Sequence, residues 1–299
     1  MSLSEPRAGH VVVVGDVMTD IIVRPEGPIV HGSDRRAAIA MLPGGSGANQ
    51  AAWLARFGLP VMLAARVGRE DAEAHAAALR RHGVTPALAV DERLGSGRLV
   101  ALLAPDGERS FLTDRGANEA LCRADLPDAL LDGAALLHVS AYSLVSPGPR
   151  AAVLDFLGAA RRRGVPVTID PASAGFLRDL GPANVLAWIR GAAMLFPNVD
   201  EAEALTGLAD EEGQLRHLAA LFDLVVLKRG GRGAAAARGT ARWSVAGPAV
   251  AAVDTTGAGD AFLAAFLAAH LAGAQIEACL ARGVAAGAQA VSVPGGQPR

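Results

Sequence analysis

Short apolar runs recur along the chain, and their spacing limits the fold more than any other feature. "HVVVVG" (10–15) is followed by "PVMLAARVG" near 60, "ALLHVS" near 135, "VPVTID" near 165, "AAMLFPN" near 192 and "DLVVLKRG" near 223. A continuous β-branched run has no polar face, so it predicts a strand covered on both sides. Between the runs lie Ala-, Leu- and Arg-rich stretches at 46–58, 70–82, 148–163, 199–221 and 257–291, which predict helices. Strands alternating with helices predict an α/β fold, a parallel sheet with helices on both faces.

Two regions break the alternation. Residues 20–42 hold short alternating segments punctuated by Pro25, Gly27, Pro28 and Gly32. Residues 86–114 read as three short strands, "PALAVD", "GRLVALLA" and "ERSFLTD", with an "APDG" turn between the last two. Antiparallel strands set into a parallel chain predict a small β lid built from about 20–42 and 86–114. No repeat, linker or boundary divides residues 1–299, which are expected to form a single domain.

Composition narrows the partners. Hydrophobic residues make up 51% and charged ones 19%, which provides a large core and argues against disorder. Lys and Arg number 28 against 30 Asp and Glu, so no global field draws the chain to nucleic acid or an acidic membrane. Cys122 and Cys279 stand far apart and form no CxxC pair, which points to a reduced compartment and no thiolate metal site. The start, "MSLSEPRAGHVVVVGD", has no signal-peptide pattern. The uncharged apolar stretch from Ala261 to Ile276 falls short of the ~20 residues that span a bilayer. A soluble, cytoplasmic protein is expected.

The most suggestive stretch is "DTTGAGD" (254–260). Gly257 and Gly259 let backbone N–H groups turn inward. If a helix starts there, its first N–H groups lack intrahelical partners and face the positive end of the dipole, which makes an anion site. The same field is expected to keep Asp260 ionised. A carboxylate beside an anion hole suits phosphoryl transfer to an alcohol, since it can take the hydroxyl proton while the N–H groups hold the phosphoryl. The plainer reading is that Asp260 caps a core helix behind a glycine turn.

Other segments stand in order around this one. "PGGSGANQAAWLARFG" (43–58), "FPNVDEAEALTG" (196–207), "VVLKRGGRGA" (225–234) and "DTTGAGDAF" (254–262) resemble the signatures of the ribokinase-like, or PfkB-type, carbohydrate kinase family. "HVSAYSLVS", "RGAN" (115–118) and the closing "VSVPGGQP" match as well, so the resemblance runs from about residue 10 to the end. It implies a three-layer αβα sandwich with a central, mostly parallel sheet and a small β-sheet lid. It implies an ATP-dependent kinase of a sugar or sugar-like alcohol, with Mg2+ and, as a second cation, K+.

Residue by residue, the resemblance makes Asp260 the base and Gly257, Ala258 and Gly259 the anion hole. Asp254 and Thr256 match positions that help hold the monovalent cation. Family members often continue past the position of Arg299 and supply another oxygen, which leaves open whether that set is complete here. Asn198 and Glu201 match the Asn-x-x-Glu pair that organises Mg2+, partly through water; "PN" followed by "DE" would also serve simply as a helix entry. Lys228, Gly230 and Gly233 match the nucleotide side, although Lys228 could instead be a solvated charge ending a strand. Small residues such as Ala285 and Gly287 in "GVAAGAQA" would leave room for adenine, or would only pack tightly. Gly44, Gly45 and Asn49 match positions that meet substrate hydroxyls. Asp20 does the same, with Asp16 as its alternative, and Asn118 is expected to face the same cleft.

Departures concern specificity. Ribose kinases usually carry Asn where this chain has Met18 and Lys where it has Ser46, and often Glu in the "HVSAYSLVS" segment. Met18 and Tyr142 suggest a partly apolar wall, which could suit a nucleoside; both could equally be core. Arg98, Arg109 and Arg115 are candidates for the basic group a sugar acid would want, or are solvated strand charges. Competing functions are a nucleoside kinase and a non-catalytic sugar or nucleotide sensor. A nicotinamide fold is excluded, because "GDVMTD" stands where G-x-G-x-x-G would be needed. The resemblance also allows a homodimer through the lid, which the sequence itself does not show.

Overall fold

The computed structural model describes residues 9–103, 109–293 and 295–298. The chain begins with β1 (His10–Val14), β2 (Met18–Pro25), β3 (Ala37–Gly44), α1 (Ser46–Arg56), β4 (Val61–Gly68), α2 (Ala72–Arg81) and β5 (Val84–Asp91). It continues with β6 (Gly97–Leu103), β7 (Arg109–Asp114), β8 (Ala134–Ser140), α3 (Pro147–Arg162), β9 (Val167–Asp170), α4 (Ala174–Leu180), α5 (Pro182–Ile189) and β10 (Met194–Leu195). It ends with α6 (Val199–Thr206), α7 (Glu211–Ala219), β11 (Leu224–Lys228), β12 (Ala234–Arg238), β13 (Ala241–Val245), α8 (Ala258–Leu271) and α9 (Ile276–Ala290).

The large sheet has the order β13-β12-β11-β10-β9-β8-β1-β4-β5 and is parallel from β11 to β5. Its strands are apolar on both faces for a visible reason. Val11 and Val13 join a core with α1, α8 and α9, while Val12 and Val14 join a second core with α3, α5, α6 and α7. That is the expected three-layer sandwich. The expected helix at 257–291 divides into α8 and α9, and that at 199–221 into α6 and α7. Asp210 starts α7 by accepting a 2.6 Å hydrogen bond from the Gly213 N–H.

A second, four-stranded sheet has the order β3-β2-β6-β7. "PALAVD", expected among its strands, belongs elsewhere: it lies in β5 and pairs in parallel with β4 from Val61↔Val84 to Gly68↔Asp91. β5 is an edge strand, half covered by α2, so its alternation imitates an antiparallel strand. The small sheet is therefore built from 18–44 and 97–114. The "APDG" turn lies outside the described residues. At the other edge, β12 and β13 form an antiparallel addition that the sequence reading did not foresee. "AAAAR" carries no β propensity, and only its burial on both sides makes it a strand.

Candidate active site

Strand order reverses at β1, whose neighbours are β8 and β4. In an open parallel sheet, the crevice at the carboxyl ends beside such a reversal is where ligands bind. The chain places its polar side chains there. Asp16 follows β1, Asp170 ends β9 and Lys228 ends β11. Asn198 forms a bridge with Lys228.

α8 starts at this crevice. Its N-cap is Gly257, at φ 74°, and a Cβ there would stand 2.3 Å from the Gly296 carbonyl oxygen. Only glycine fits both conditions. The first i→i−4 bond runs from Ala261 N–H to the Gly257 carbonyl at 2.9 Å, so the N–H groups of Gly259 and Asp260 precede it, while the Ala258 N–H makes a long 3.4 Å bond to the Thr255 carbonyl. Asp260 does not cap the helix: no side chain does. Its Oδ1 instead accepts a 3.3 Å hydrogen bond from the Ser46 hydroxyl. The helix-cap reading thus fails.

Two cavities meet at this point. One, of about 460 Å3, is lined by Asp16, Met18, Asp20, Gly45, Ser46, Asn49, Tyr142, Asp170, Glu201 and Asp260, with Leu99, Phe111 and Thr113 contributed by the small sheet. The other, of about 500 Å3, is lined by Gly230, Gly233, Val250, Ala258, Phe262, Gly287 and Ala288. Asn198, Lys228 and Gly259 line both.

Charge is unevenly poised in the first cavity. Burial, followed by the Asp170 charge, pushes Asp260 up to about 7, with Lys228 opposing. Desolvation thus works against the ionised form that the helix field was expected to favour. Burial and the neighbouring Asp16 raise Asp20 to about 6. Burial raises Glu201 too, against the pull of Lys228. Burial disfavours the Lys228 ammonium, but Asp170, at 2.7 Å, and Glu201 more than offset it, and the net shift is upward. Lys228 is thus a paired internal charge rather than a solvated strand end.

Asn198 and Glu201 satisfy the helix-entry reading and line the cavity at once. The Asn198 side chain accepts from the Glu201 N–H at 2.8 Å, Glu201 Oε2 accepts from the Asn198 N–H at 2.8 Å, and Asn198 Nδ2 donates to Glu201 Oε1 at 2.7 Å. Asp254 Oδ1 accepts from the Thr256 N–H at 2.8 Å and its Oδ2 from the Gly295 N–H at 3.0 Å, which ties the glycine loop to the closing segment. Asn49 Oδ1 is buried with no hydrogen-bond partner among the described residues, as befits an acceptor kept for a ligand. Gly44 does not line the cavity; its bare Cα makes room for the Asp20 carboxylate, 2.2 Å from where a Cβ would be.

Asn118 departs from expectation. Its amide is used up on backbone, accepting from the Val17 N–H and donating to the Val17 and Arg115 carbonyls at 2.9–3.1 Å. It shapes the wall without facing the cleft. Met18 and Tyr142 do line the cavity, and so does Arg115, which stacks on Tyr142 at 5.6 Å. Arg98 is exposed, and the Arg109 side chain lies outside the described residues. Ala285 is exposed, and it is Ala288 that lines the second cavity with Gly287. Asp170 was missed altogether. Its one sequence signal is a carboxylate at the end of the apolar run "VPVTID".

Comparisons with known proteins bear on the fold and the family. The chain is 32% identical over 302 residues to the "Bifunctional protein HldE" of Shewanella amazonensis, covering 93% of this chain and 59% of that protein. It is 32% identical over 317 residues to the "Ribokinase" of Arabidopsis thaliana, covering 99% and 80%. The solved Arabidopsis ribokinase complexed with ribose and ATP superposes at a TM-score of 0.79, with 28% identity over 96% of this chain and 94% of that one. An adenosine kinase from Sinorhizobium meliloti has the same fold, with a TM-score of 0.88 and 23% identity over 97% and 96%. The chain spans about three fifths of the HldE length. Residues 8–299 match the family model described as "pfkB family carbohydrate kinase", and the chain belongs to that family.

Proposed function

We propose that the protein transfers the γ-phosphate of ATP to a hydroxyl of a sugar or sugar-like alcohol, with Asp260 as general base. One observation carries this reading: Gly259 lines both cavities and its neighbour Asp260 lines the first, so one acceptor hydroxyl and one phosphate terminus can meet there. ATP occupies the cavity of Gly230, Gly233 and Gly287. Its terminal phosphate lies against the N–H groups of 257–259 and the Lys228 ammonium. Asp16, Asp20, Gly45 and Asn49 bind the acceptor's other hydroxyls. Asp260, poised near 7, takes the proton of the hydroxyl that attacks.

The donor sets fit the two cations. Asn198 and Glu201 already bond to each other, which suits a hydrated Mg2+ held through water. No group of three or more His, Cys, Asp or Glu among the described residues could hold a metal directly. Bound Mg2+ would offset triphosphate charge. Asp254 and Thr256 present only oxygen donors, as a monovalent cation such as K+ requires.

A cytoplasmic location belongs to this reading, since ATP is there and both cysteines are free. No helix among the described residues is long and apolar enough to cross a membrane. Ile39, Met41 and Leu112, each at least 63% exposed, support a homodimer through the small sheet, and light scattering would test it.

A nucleoside kinase is the second reading, favoured by the apolar Met18, Leu99, Phe111 and Phe176 in the acceptor wall. ADP release is to be screened against sugars, sugar acids and nucleosides, each with and without K+. Turnover with a sugar supports the first reading, turnover with nucleosides alone the second. Tight binding with no ADP release from any acceptor would leave a sensor.

A further inference from the structure

Behind Asp260 a line of polar side chains runs into the core. Ser46 and Gln50 lie four residues apart on α1, one turn of the helix and one face. Gln50 is fully buried, and so are His138 on β8 and Thr168 on β9, which are register partners. Their contacts are in series. Ser46 Oγ meets Asp260 Oδ1 at 3.3 Å, Gln50 Nε2 meets Ser46 Oγ at 3.0 Å, His138 Nε2 meets Gln50 Oε1 at 3.0 Å, and His138 Nδ1 meets Thr168 Oγ1 at 2.9 Å. The surrounding layer is apolar, with Leu54, Leu136 and Phe266 as neighbours in the same core. Stability alone does not ask for a polar line there, since well-packed apolar residues would serve as well.

The donors have one direction. Gln50 Oε1 can only accept, so His138 Nε2 donates to it, and the neutral imidazole accepts at Nδ1 from the Thr168 hydroxyl. Gln50 Nε2 donates to Ser46, which leaves the Ser46 proton for Asp260, and the Gln50 amide also lies close enough to the carboxylate to favour its ionised form directly. Each donor therefore points toward the carboxylate.

We propose that Ser46, Gln50 and His138 are positioning residues for Asp260, a buried hydrogen-bond chain that holds its carboxylate in one orientation and favours its ionised form. The proposal rests on Asp260 being the base. The charged groups that face Asp260 from other elements are Asp170, Lys228 and Asp16, and those facing His138 are Asp170 and Lys228. All stay in place in the variants below.

Two measurements test it. The first is the imidazole 1H–15N NMR spectrum of the ligand-free protein between pH 5.5 and 9, with His138 assigned through its backbone neighbours. The expected spectrum is the Nε2–H tautomer, moving with a midpoint near 7 that vanishes in both Asp260→Asn and Gln50→Leu. An Nδ1–H tautomer, a flat response, or a midpoint that persists in Gln50→Leu overturns the chain. This readout needs no turnover, so it stands apart from the failure of the kinase reading. The second is the pH profile of kcat/KM. Ser46→Ala is expected to move its acid limb up by about half to one pH unit, and Ser46→Thr, which keeps the hydroxyl, to restore it. An unmoved limb in Ser46→Ala also overturns the proposal.

Discussion

The two cavities that meet at Gly259 are of similar size and opposite chemistry. The acceptor side carries five carboxylates, Asp16, Asp20, Asp170, Glu201 and Asp260, with Lys228 and Arg115. On the nucleotide side Lys228 is the one charge among the lining residues; the rest are mostly Gly, Ala, Val and Pro. In the proposed reaction one half works through hydrogen bonds and shifted protons, the other through shape and bare backbone. Removing a single atom's charge should disable the first half, and adding volume should disable the second.

The largest expected effect is at Asp260. Asp260→Asn keeps the shape and loses the base, so kcat should fall by about 10²- to 10⁴-fold with the KM for ATP little changed. A kcat within threefold of wild type would remove Asp260 from the mechanism. Stability should move the other way. The carboxyl titrates near 7 when folded, against 3.8 for an unperturbed aspartate. Folding therefore holds its proton, and that contribution, complete below about 3.8, is lost as pH rises through about 7. The Tm advantage of Asp260→Asn should accordingly grow from pH 5 to pH 8.

This asymmetry also governs how much of the site the sequence disclosed. Asp260, Gly257, Asn198 and Glu201 lie in short local patterns, because a helix start needs its special residues next to one another. Asp170 does not: its role depends on Lys228, brought to 2.7 Å from another strand of the sheet. His138 in "ALLHVS" reads as core, and only its partners on α1 and β9 give it a second meaning. Asn118 misled for the opposite reason, since "RGAN" shows an amide but not the backbone groups that consume it. In the fold, interior strands were legible because burial on both faces leaves one kind of residue. The edges were not. β5 is half exposed and β12 is alanine, so neither carries the interior signature.

A crossed pair of variants sharpens the comparison at the next level. Ala288→Phe fills the nucleotide cavity and should raise the KM for ATP about tenfold or more, leaving the acceptor KM within twofold. Asp20→Asn should do the reverse, raising the acceptor KM about 10- to 100-fold with ATP unaffected. Steady-state kinetics with each substrate varied reads both. If either variant moves both constants equally, the two cavities are not separate sites.

The smallest effect is at Ala172, between Asp170 and Ser173 on the acceptor wall. It is the one non-glycine residue with positive φ among the described residues, at 81°, and its N–H bonds Asp170 Oδ1 at 3.3 Å. An L-residue there costs about 1–2 kcal/mol, whereas glycine loses about 0.5–1 kcal/mol more chain entropy on folding. Ala172→Gly should thus stabilise the protein by up to about 1 kcal/mol in urea unfolding. The same freedom loosens the turn that aims Asp170 at Lys228, so kcat should drop two- to fivefold. A gain in stability with unchanged kcat would make the strain incidental. A loss of both would mean that the alanine methyl itself, packed against the core, holds the wall.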